Sequence, residues 1–538
     1  MHPRSPYAKA PPDFASLARD HPNFGQHVKV GEDGISFIDF KDADAVRALT
    51  EVLLLADFKI VAEQAPDRLC PMVPNRLNYV LWLQDVVAET RRILALAHRI
   101  PSSSHSTLLF NGGDSSERPA KRARREYENI QPRRPSLRGL DIGTGASTIY
   151  PLLMCATDPC ADMVGTDIDE TSLAHANDIL AHPFNAHLHP RTRIRTVLKR
   201  PDDPFFSIPS AVDHAEAKEP RFHITMCNPP FYASKEEMSE SSRGKARKPP
   251  AVCTGTEREM VFEPEKGGGG EGEGGEVGFV RRMIEESFSM EKWDLVWWFT
   301  SMLGRLGSVD TLLHDLQKKG KAGMEGEGTA RHLTWVVHEL VQGNTKRWVL
   351  AWSFMGVHIA DTGPEFGGTT VTTLARHRPP GILKTDWLIH AGDVGSARAV
   401  LGRVMEGIAG VEVVDAGLVV MEKEDKVIRL EIVVWMQSWT RAARRARERG
   451  EDAAPDDEEK KEAVLCVEAT VRALSESGAE ENAEGEGTTV SAEVTAKESA
   501  RRGSVVDFRR TFGHSRAVFD SFSQHVKSRW TALSQSAS

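Results

Sequence analysis

The sequence predicts an α/β protein: a doubly wound, Rossmann-like sheet, preceded by an N-terminal helical lobe and followed by a smaller α+β domain. Three observations carry this expectation. A short apolar strand enters the glycine turn Asp141-Ile142-Gly143-Thr144-Gly145, a second strand ends in an acid at Asp167, and a third runs into Asn228-Pro229-Pro230-Phe231. Strands alternating with helical periods build a parallel sheet, whose ligands bind at the strands' carboxyl ends.

Taken in order, Asp44 to Asp57 and Leu77 to His98 repeat apolar residues every three or four positions, so residues 1–100 read as a helical lobe. Residues 101–128 are polar and then strongly basic, which marks a flexible linker. The core spans 129–360. LRGLDIGTG is its first strand, Ser147 to Met154 opens a helix, ADMVGTDID is the next strand, and Glu170 to Ala181 is helical. RFHITMCNPPF, WDLVWWFTSML, HLTWVVHEL and KRWVLAWSF supply further strands, with a helix over FVRRMIEESF. A Gly/Glu-rich insertion near 263–276 has nothing to bury. Residues 381–538 form the second domain, from the strands ILKTDWLIH, VEVVDAGLVV, KVIRLEIVVW and AVLCVEATV and helices at Ala397 to Gly407 and Arg516 to Trp530. Acidic insertions near 450–462 and 475–500 interrupt it.

Composition narrows the class. The chain has 538 residues, 40% of them hydrophobic, and no run resembles a membrane span or a secretory signal, so no membrane partner and a monomeric intracellular protein are expected. Six cysteines lie too far apart for a disulfide framework or a metal knuckle, and the scattered histidines suggest no metal. The net charge of −9 does not exclude nucleic acid, because much of the acidity sits in the low-complexity stretches.

Gly143 and Gly145 let backbone approach a ligand closely, but the turn lacks the third glycine of a dinucleotide fingerprint. Asp167 is placed to accept bonds from a ribose diol; the plainer reading is a surface acid at a strand end. Asp141 can orient the turn or face the sulfonium and amino end of S-adenosylmethionine, and Ser147 can add a hydroxyl there or cap a helix. Asn228-Pro229-Pro230-Phe231 is the most specific signal. An exocyclic adenine amine is a poor nucleophile because its lone pair is delocalised. The Asn228 side-chain oxygen and the Pro229 carbonyl can accept both amine hydrogens, with the prolines fixing those acceptors, while Phe231 stacks on the base and Tyr232 packs beside it. Neither a metal nor a separate strong base is needed.

On these motifs, with PPDFASLARDHPNFGQHV, MVPNRLNYVLW, SMLGRLGS and QGNTKRWVLAWSF, the chain resembles the eukaryotic U6 snRNA adenine-N6 methyltransferases of the methyltransferase-like family and, more distantly, bacterial 23S rRNA adenine-N6 enzymes. The resemblance covers most of residues 11 to 354. It implies a class I S-adenosylmethionine-dependent methyltransferase acting on structured RNA, U6 snRNA first and S-adenosylmethionine synthetase mRNA second, in the nucleus and also the cytoplasm. By the same resemblance Arg76 contacts the cofactor carboxylate and acceptor pocket, and Lys41 contacts RNA and regulates. Gly143, Ser147 and Asp167 match cofactor contacts, Asn228 and Phe231 the catalytic ones, and the last third an accessory RNA-binding domain. The chain departs in Tyr232 for a second phenylalanine, Asn344 for an RNA-contacting arginine, Asp167 for a glutamate, and a stretch at Asp203 to Phe206 that is hard to match.

Lys346 and Arg347 keep positive charge beside Asn344, and Arg305 follows a strand on the expected substrate side. Basic clusters at Lys121 to Arg125, at Lys235, Arg243, Lys245 and Arg247, and at Arg441 to Arg449 suit phosphate contact, or in the plainer reading solvated faces. Trp298 and Trp352 are expected in the core rather than under bases. Two other functions share the motif: methylation of DNA or of a protein glutamine, and RNA binding with catalysis secondary.

Overall fold

A computed structural model describes residues 1–98, 137–208, 221–244, 255–263, 274–290, 296–324, 332–343, 345–359, 372–379, 382–390, 393–422, 425–449, 463–473, 504–513 and 515–536. The linker expected at 101–128 and the acidic insertions expected near 450–462 and 475–500 lie outside them. Two compact units divide the chain: Met1–Ala88 with Asp114–Met355 and Ala360–Arg378, and Glu89–Gly113 with Gly356–Ile359 and Pro379–Ser538.

In the first unit, strands β1 (Val28–Val30) and β2 (Ser36–Ile38) pair antiparallel, so the N-terminal part is not purely helical. Its longer helices are Phe14–Asp20, capped by the Asp13 carboxylate, Ala43–Phe58, capped by Asp42, and the part up to Ala88 of helix Val73–Ala97. The last begins four residues before the expected Leu77, since Pro74 in a first helical turn forfeits no intrahelical bond. Residues up to Ala88 share one compact unit with the sheet, whereas the sequence reading drew a boundary at 100.

The sheet is built from β3 (Arg138–Ile142), β4 (Asp162–Asp167), β5 (Ile194–Leu198), β6 (Phe222–Cys227), β7 (Val296–Leu303), β8 (Thr334–Gln342) and β9 (Thr345–Ser353) in the order β5-β4-β3-β6-β7-β9-β8. β3 to β7 run parallel, and the β8–β9 hairpin joins antiparallel to β7. β6 is buried at every residue, as a central strand covered on both faces requires. Strand order reverses between β3 and β6. Their carboxyl ends therefore open the crevice in which doubly wound sheets bind ligands.

Three local differences from expectation have physical causes. The helix expected from Ser147 is Ile149–Thr157, because Thr148 sits at φ 43° and ψ 38°, in the left-handed region. The insertion expected near 263–276 ends sooner, since Gly275 and Glu276 open the helix Gly275–Ser289. β5 and the helix Leu306–Met324 were not expected: five residues are too few to show a period, and Gly307 and Gly320 blur the helical one. Trp298 and Trp352 are fully buried, and Phe299 stacks on Trp352 at 5.7 Å between ring centroids.

The second unit is an antiparallel sheet of β10 (Leu383–His390), β11 (Val411–Glu422), β12 (Asp425–Val434), β13 (Leu465–Ala473) and β14 (Ser504–Phe512), ordered β10-β14-β13-β12-β11. Alternate residues Ile428, Leu430, Ile432 and Val434 of β12 share a core with Val400 and Val404 of helix Val394–Glu406 and Phe519, Phe522 and Val526 of helix Arg516–Ser536. β14 was not foreseen, because it follows directly on the acidic insertion.

Candidate functional site

A cavity of about 230 Å³ occupies the crevice. Its walls come from the turn after β3 (Gly143 to Ser147), from Asp167 and Ile168 after β4, and from Cys227, Asn228 and Pro230 after β6. Arg76 and Tyr150 close one side, and Lys199, Asp203, Phe205 and Arg282 another.

Gly143 and Gly145 have φ of +73° and +64°, and a β-carbon on either would meet nothing within 4 Å. The positive φ favours glycine here, and the space beside both residues is open to a ligand. Asp167 holds this turn: its Oδ2 accepts from the Gly145 N–H at 2.8 Å and its Oδ1 from the Asp169 N–H at 2.9 Å. Burial nevertheless raises its carboxyl above the usual range. Each oxygen keeps a second lone pair for a ligand hydroxyl.

Asp141 is fully buried at the end of β3, its carboxylate beside the Thr144 side chain. Burial pushes its carboxyl up to about 7 against a hydrogen bond from the Thr144 side chain, with Asp167 adding to the rise and Arg76 opposing it. A buried carboxylate is costly to ionise unless a cationic group meets it. The sulfonium and amino end of S-adenosylmethionine is such a group. With the open glycine turn and the acceptor at Asp167, these residues fit that cofactor.

Asn228 ends the buried strand β6, which Thr300 of β7 ties down by donating its N–H to Thr225 Oγ1 at 3.1 Å and its hydroxyl to the Thr225 carbonyl at 2.6 Å. Arg76, in the first turn of its helix, donates from Nη1 to Asn228 Oδ1 at 2.8 Å and to the Tyr150 hydroxyl at 2.7 Å. Beyond the prolines, the Arg347 guanidinium lies 6.0 Å from the centroid of the Phe231 ring. Tyr232 is buried, and its backbone donates to the Met260 carbonyl and accepts from the Phe262 N–H. Segment 255–263, capped through Thr256 and Glu259, is thereby laced to the Asn-Pro-Pro turn.

The structure thus gathers Arg76, Gly143, Gly145, Ser147, Asp167 and Asn228 around the cavity, with Phe231 and Arg347 beside it, while Asp141 is buried behind the wall. Arg305, largely exposed, pairs with Glu237 at 2.9 Å, and Lys346 with Glu339 at 3.2 Å. Lys41 is exposed in the turn before helix Ala43–Phe58. Asn344, Lys245, Arg247 and the Lys121 to Arg125 cluster lie outside the described residues. The stretch Asp203 to Phe206, unmatched in the sequence, lines the cavity: Glu286 accepts from the Phe205 and Phe206 N–H groups, and Arg282 donates to the Asp203 carbonyl and stacks over the Phe205 ring. Sequence reasoning also passed over Tyr150 and Glu276. Among the described residues no group of three or more His, Cys, Asp or Glu side chains could hold a metal ion, and no helix is long and apolar enough to cross a membrane.

Strand order, glycine turn and strand-end acid together define a class I methyltransferase fold. A family described as RNA methyltransferase matches residues 1–100 and 125–356, and the chain belongs to it. It is similar to the RNA N(6)-adenosine-methyltransferase METTL16 of Homo sapiens, 33% identical over 356 residues, which are 66% of this chain and 50% of that protein. It is also similar to the U6 small nuclear RNA (adenine-(43)-N(6))-methyltransferase of Schizosaccharomyces pombe, 29% identical over 409 residues, 76% of this chain and 82% of that one. Against the crystal structure of the N-terminal domain of human METTL16 in complex with SAH, identity is 29%, coverage 66% of this chain and 98% of that chain, and the TM-score 0.42. The chain spans about half the length of the human relative.

Proposed function

We propose that this protein transfers a methyl group from S-adenosylmethionine to the N6 amine of an adenosine in structured RNA. The observation that carries the proposal is the pairing of Arg76 with Asn228 in the wall of the cavity that the open glycine turn and Asp167 complete. The cofactor, when bound, supplies an electrophilic methyl on its sulfonium sulfur. Asn228 Oδ1, one lone pair engaged by Arg76, accepts one amine hydrogen with the other, and the Pro229 carbonyl accepts the second. That geometry turns the amine lone pair out of the ring's conjugation and towards the donor. Phe231 offers its face to the base.

For substrate, U6 snRNA is the first candidate, as the Schizosaccharomyces pombe relative is named for it. A messenger-RNA hairpin is the second, because the catalytic domain of hMettl16 has been crystallised with a MAT2A 3'UTR hairpin. Labelled S-adenosylmethionine offered with each hairpin, and with each carrying N6-methyladenosine at the target, separates them. Incorporation into one hairpin, lost with the blocked adenosine and in Asn228→Ala, supports the reading and names the RNA. Cofactor and RNA binding without incorporation into either would overturn it.

A further inference from the structure

Glu276 is 4% exposed, a carboxylate sunk in the protein by a sequence that places it at the foot of a Gly/Glu-rich stretch. Its oxygens are fully engaged with the turn that leaves β7. Oε2 accepts from the Gly304 N–H at 2.6 Å, while Oε1 accepts from the Arg305 N–H at 3.2 Å and from the Ser308 hydroxyl at 2.6 Å. Charge-assisted bonds of this kind hold a turn more firmly than neutral ones.

That turn lies against Phe231. A β-carbon on Gly304 would stand 3.3 Å from Phe231 Cδ1, 3.4 Å from Cε1 and 3.2 Å from Glu276 Oε2, so the bare glycine lets ring, turn and carboxylate close together. The preceding residue grips the other end of the same side chain's backbone. Gly275, at φ +63°, lies where a β-carbon would be 3.1 Å from the Phe231 carbonyl oxygen and 3.2 Å from the Ala233 nitrogen. Gly275 thus packs against the Phe231 backbone, and Glu276 holds the turn that packs against its ring.

We propose that Glu276 is a positioning residue for the target base, acting through Phe231 by holding the Gly304–Arg305 turn beneath the ring. The proposal rests on the methyl-transfer reading above. Glutamine cannot replace it, because one of its two terminal atoms is a donor and would face the Gly304 or the Arg305 N–H.

The test is single-turnover methyl transfer with the full chain and the RNA hairpin that the unsubstituted protein methylates, comparing Glu276→Gln, Phe231→Leu and the double variant. Displacing a base platform by a fraction of an ångström predicts a rate about 10- to 100-fold lower in Glu276→Gln, with cofactor Kd changed less than about twofold. In the Phe231→Leu background the same change should cost no more than about twofold, because the two act in series. A Glu276→Gln rate within twofold of the unsubstituted protein, or losses that multiply undiminished in the double variant, would overturn the proposal. Should Glu276→Gln not fold, Ser308→Ala removes one of the three bonds, and a rate about three- to tenfold lower with unchanged cofactor Kd is expected; an unchanged rate would overturn it. Methyl transfer that is present in the unsubstituted protein and absent in Asn228→Ala keeps the functional reading standing whichever way this test falls.

Discussion

Arg76 Nη1 lies 2.8 Å from Asn228 Oδ1, so a residue in the first turn of a helix outside the sheet fixes which end of the strand-end amide faces the crevice. An asparagine amide can turn either way. A guanidinium donor on one side places the oxygen there, and the Tyr150 hydroxyl holds the guanidinium in turn.

Replacing Arg76 with lysine should therefore lower the methyl-transfer rate more than it weakens cofactor binding. Both bonds leave the one Nη1 nitrogen, and the shorter, flexible, strongly hydrated lysine stem does not hold an ammonium at that point as the planar guanidinium does. Loss of one preorganised donor predicts a fall of about 100-fold in kcat. Single-turnover rates beside a cofactor titration measure the two effects separately, and an unchanged rate at saturating cofactor would contradict the role.

Asp141 sets a pH dependence whose sign follows from its raised carboxyl, at about 7 against 3.8 for an ordinary aspartate. The group's contribution to stability is full below pH 3.8 and is lost as pH rises through about 7, where the buried carboxylate must ionise. At pH 8 that loss is on the order of 4 kcal/mol in the cofactor-free protein. Asp141→Asn should thus raise the Tm of the cofactor-free protein most at pH 8, less at pH 5 and not at all at pH 3, while weakening cofactor binding. In the unsubstituted protein, cofactor affinity should climb between pH 6 and pH 8. Calorimetric titration at several pH values gives the answer, and a flat profile would remove Asp141 from the cationic end of the ligand.

The parallel half of the sheet was legible in the sequence because β3, β4 and β6 are apolar runs punctuated by glycine, acid and proline at their carboxyl ends, where the fold places its chemistry. Glu276 was not legible. It was absorbed into the composition of the insertion before it, and the N–H groups that give it a purpose lie on a turn brought close only by the sheet. Tyr150 was missed likewise: in sequence it is one apolar residue of a helix, and its hydroxyl acquires a role only when helix Val73–Ala97 delivers Arg76 to it. Tyr232 went the other way. Its place after Phe231 suggested the substrate, whereas the structure buries it and uses its backbone to lace the turn to Met260 and Phe262.

Trp352 shows how the core supports this geometry. It is fully buried on β9, stacks on Phe299 of β7 and donates its indole N–H to Ser287 Oγ at 3.0 Å. Trp352→Ala should cost about 3 to 5 kcal/mol in unfolding free energy, chiefly from the cavity, since Ser287 keeps its bond to the Ile284 carbonyl. Denaturant titration measures it; a loss under 1 kcal/mol would mean the hairpin relaxes to fill the space.

Asp167 offers the finest test of the cofactor wall, because both its oxygens already carry a backbone N–H. Asparagine has a single acceptor and must turn its own amide hydrogens towards either Gly145 or Asp169. One buried N–H then goes unsatisfied, at a cost of about 1 to 3 kcal/mol, and the turn it holds shifts. Asp167→Asn should raise the cofactor Kd about 10- to 100-fold, since 1.4 kcal/mol is a factor of ten. Asp167→Glu keeps two acceptors on a longer arm and should bind the cofactor better than asparagine does. Isothermal titration with S-adenosylhomocysteine separates the two variants. Equal affinities for asparagine and glutamate would show that the charge and both acceptors of Asp167 are dispensable, leaving the glycine turn to hold itself.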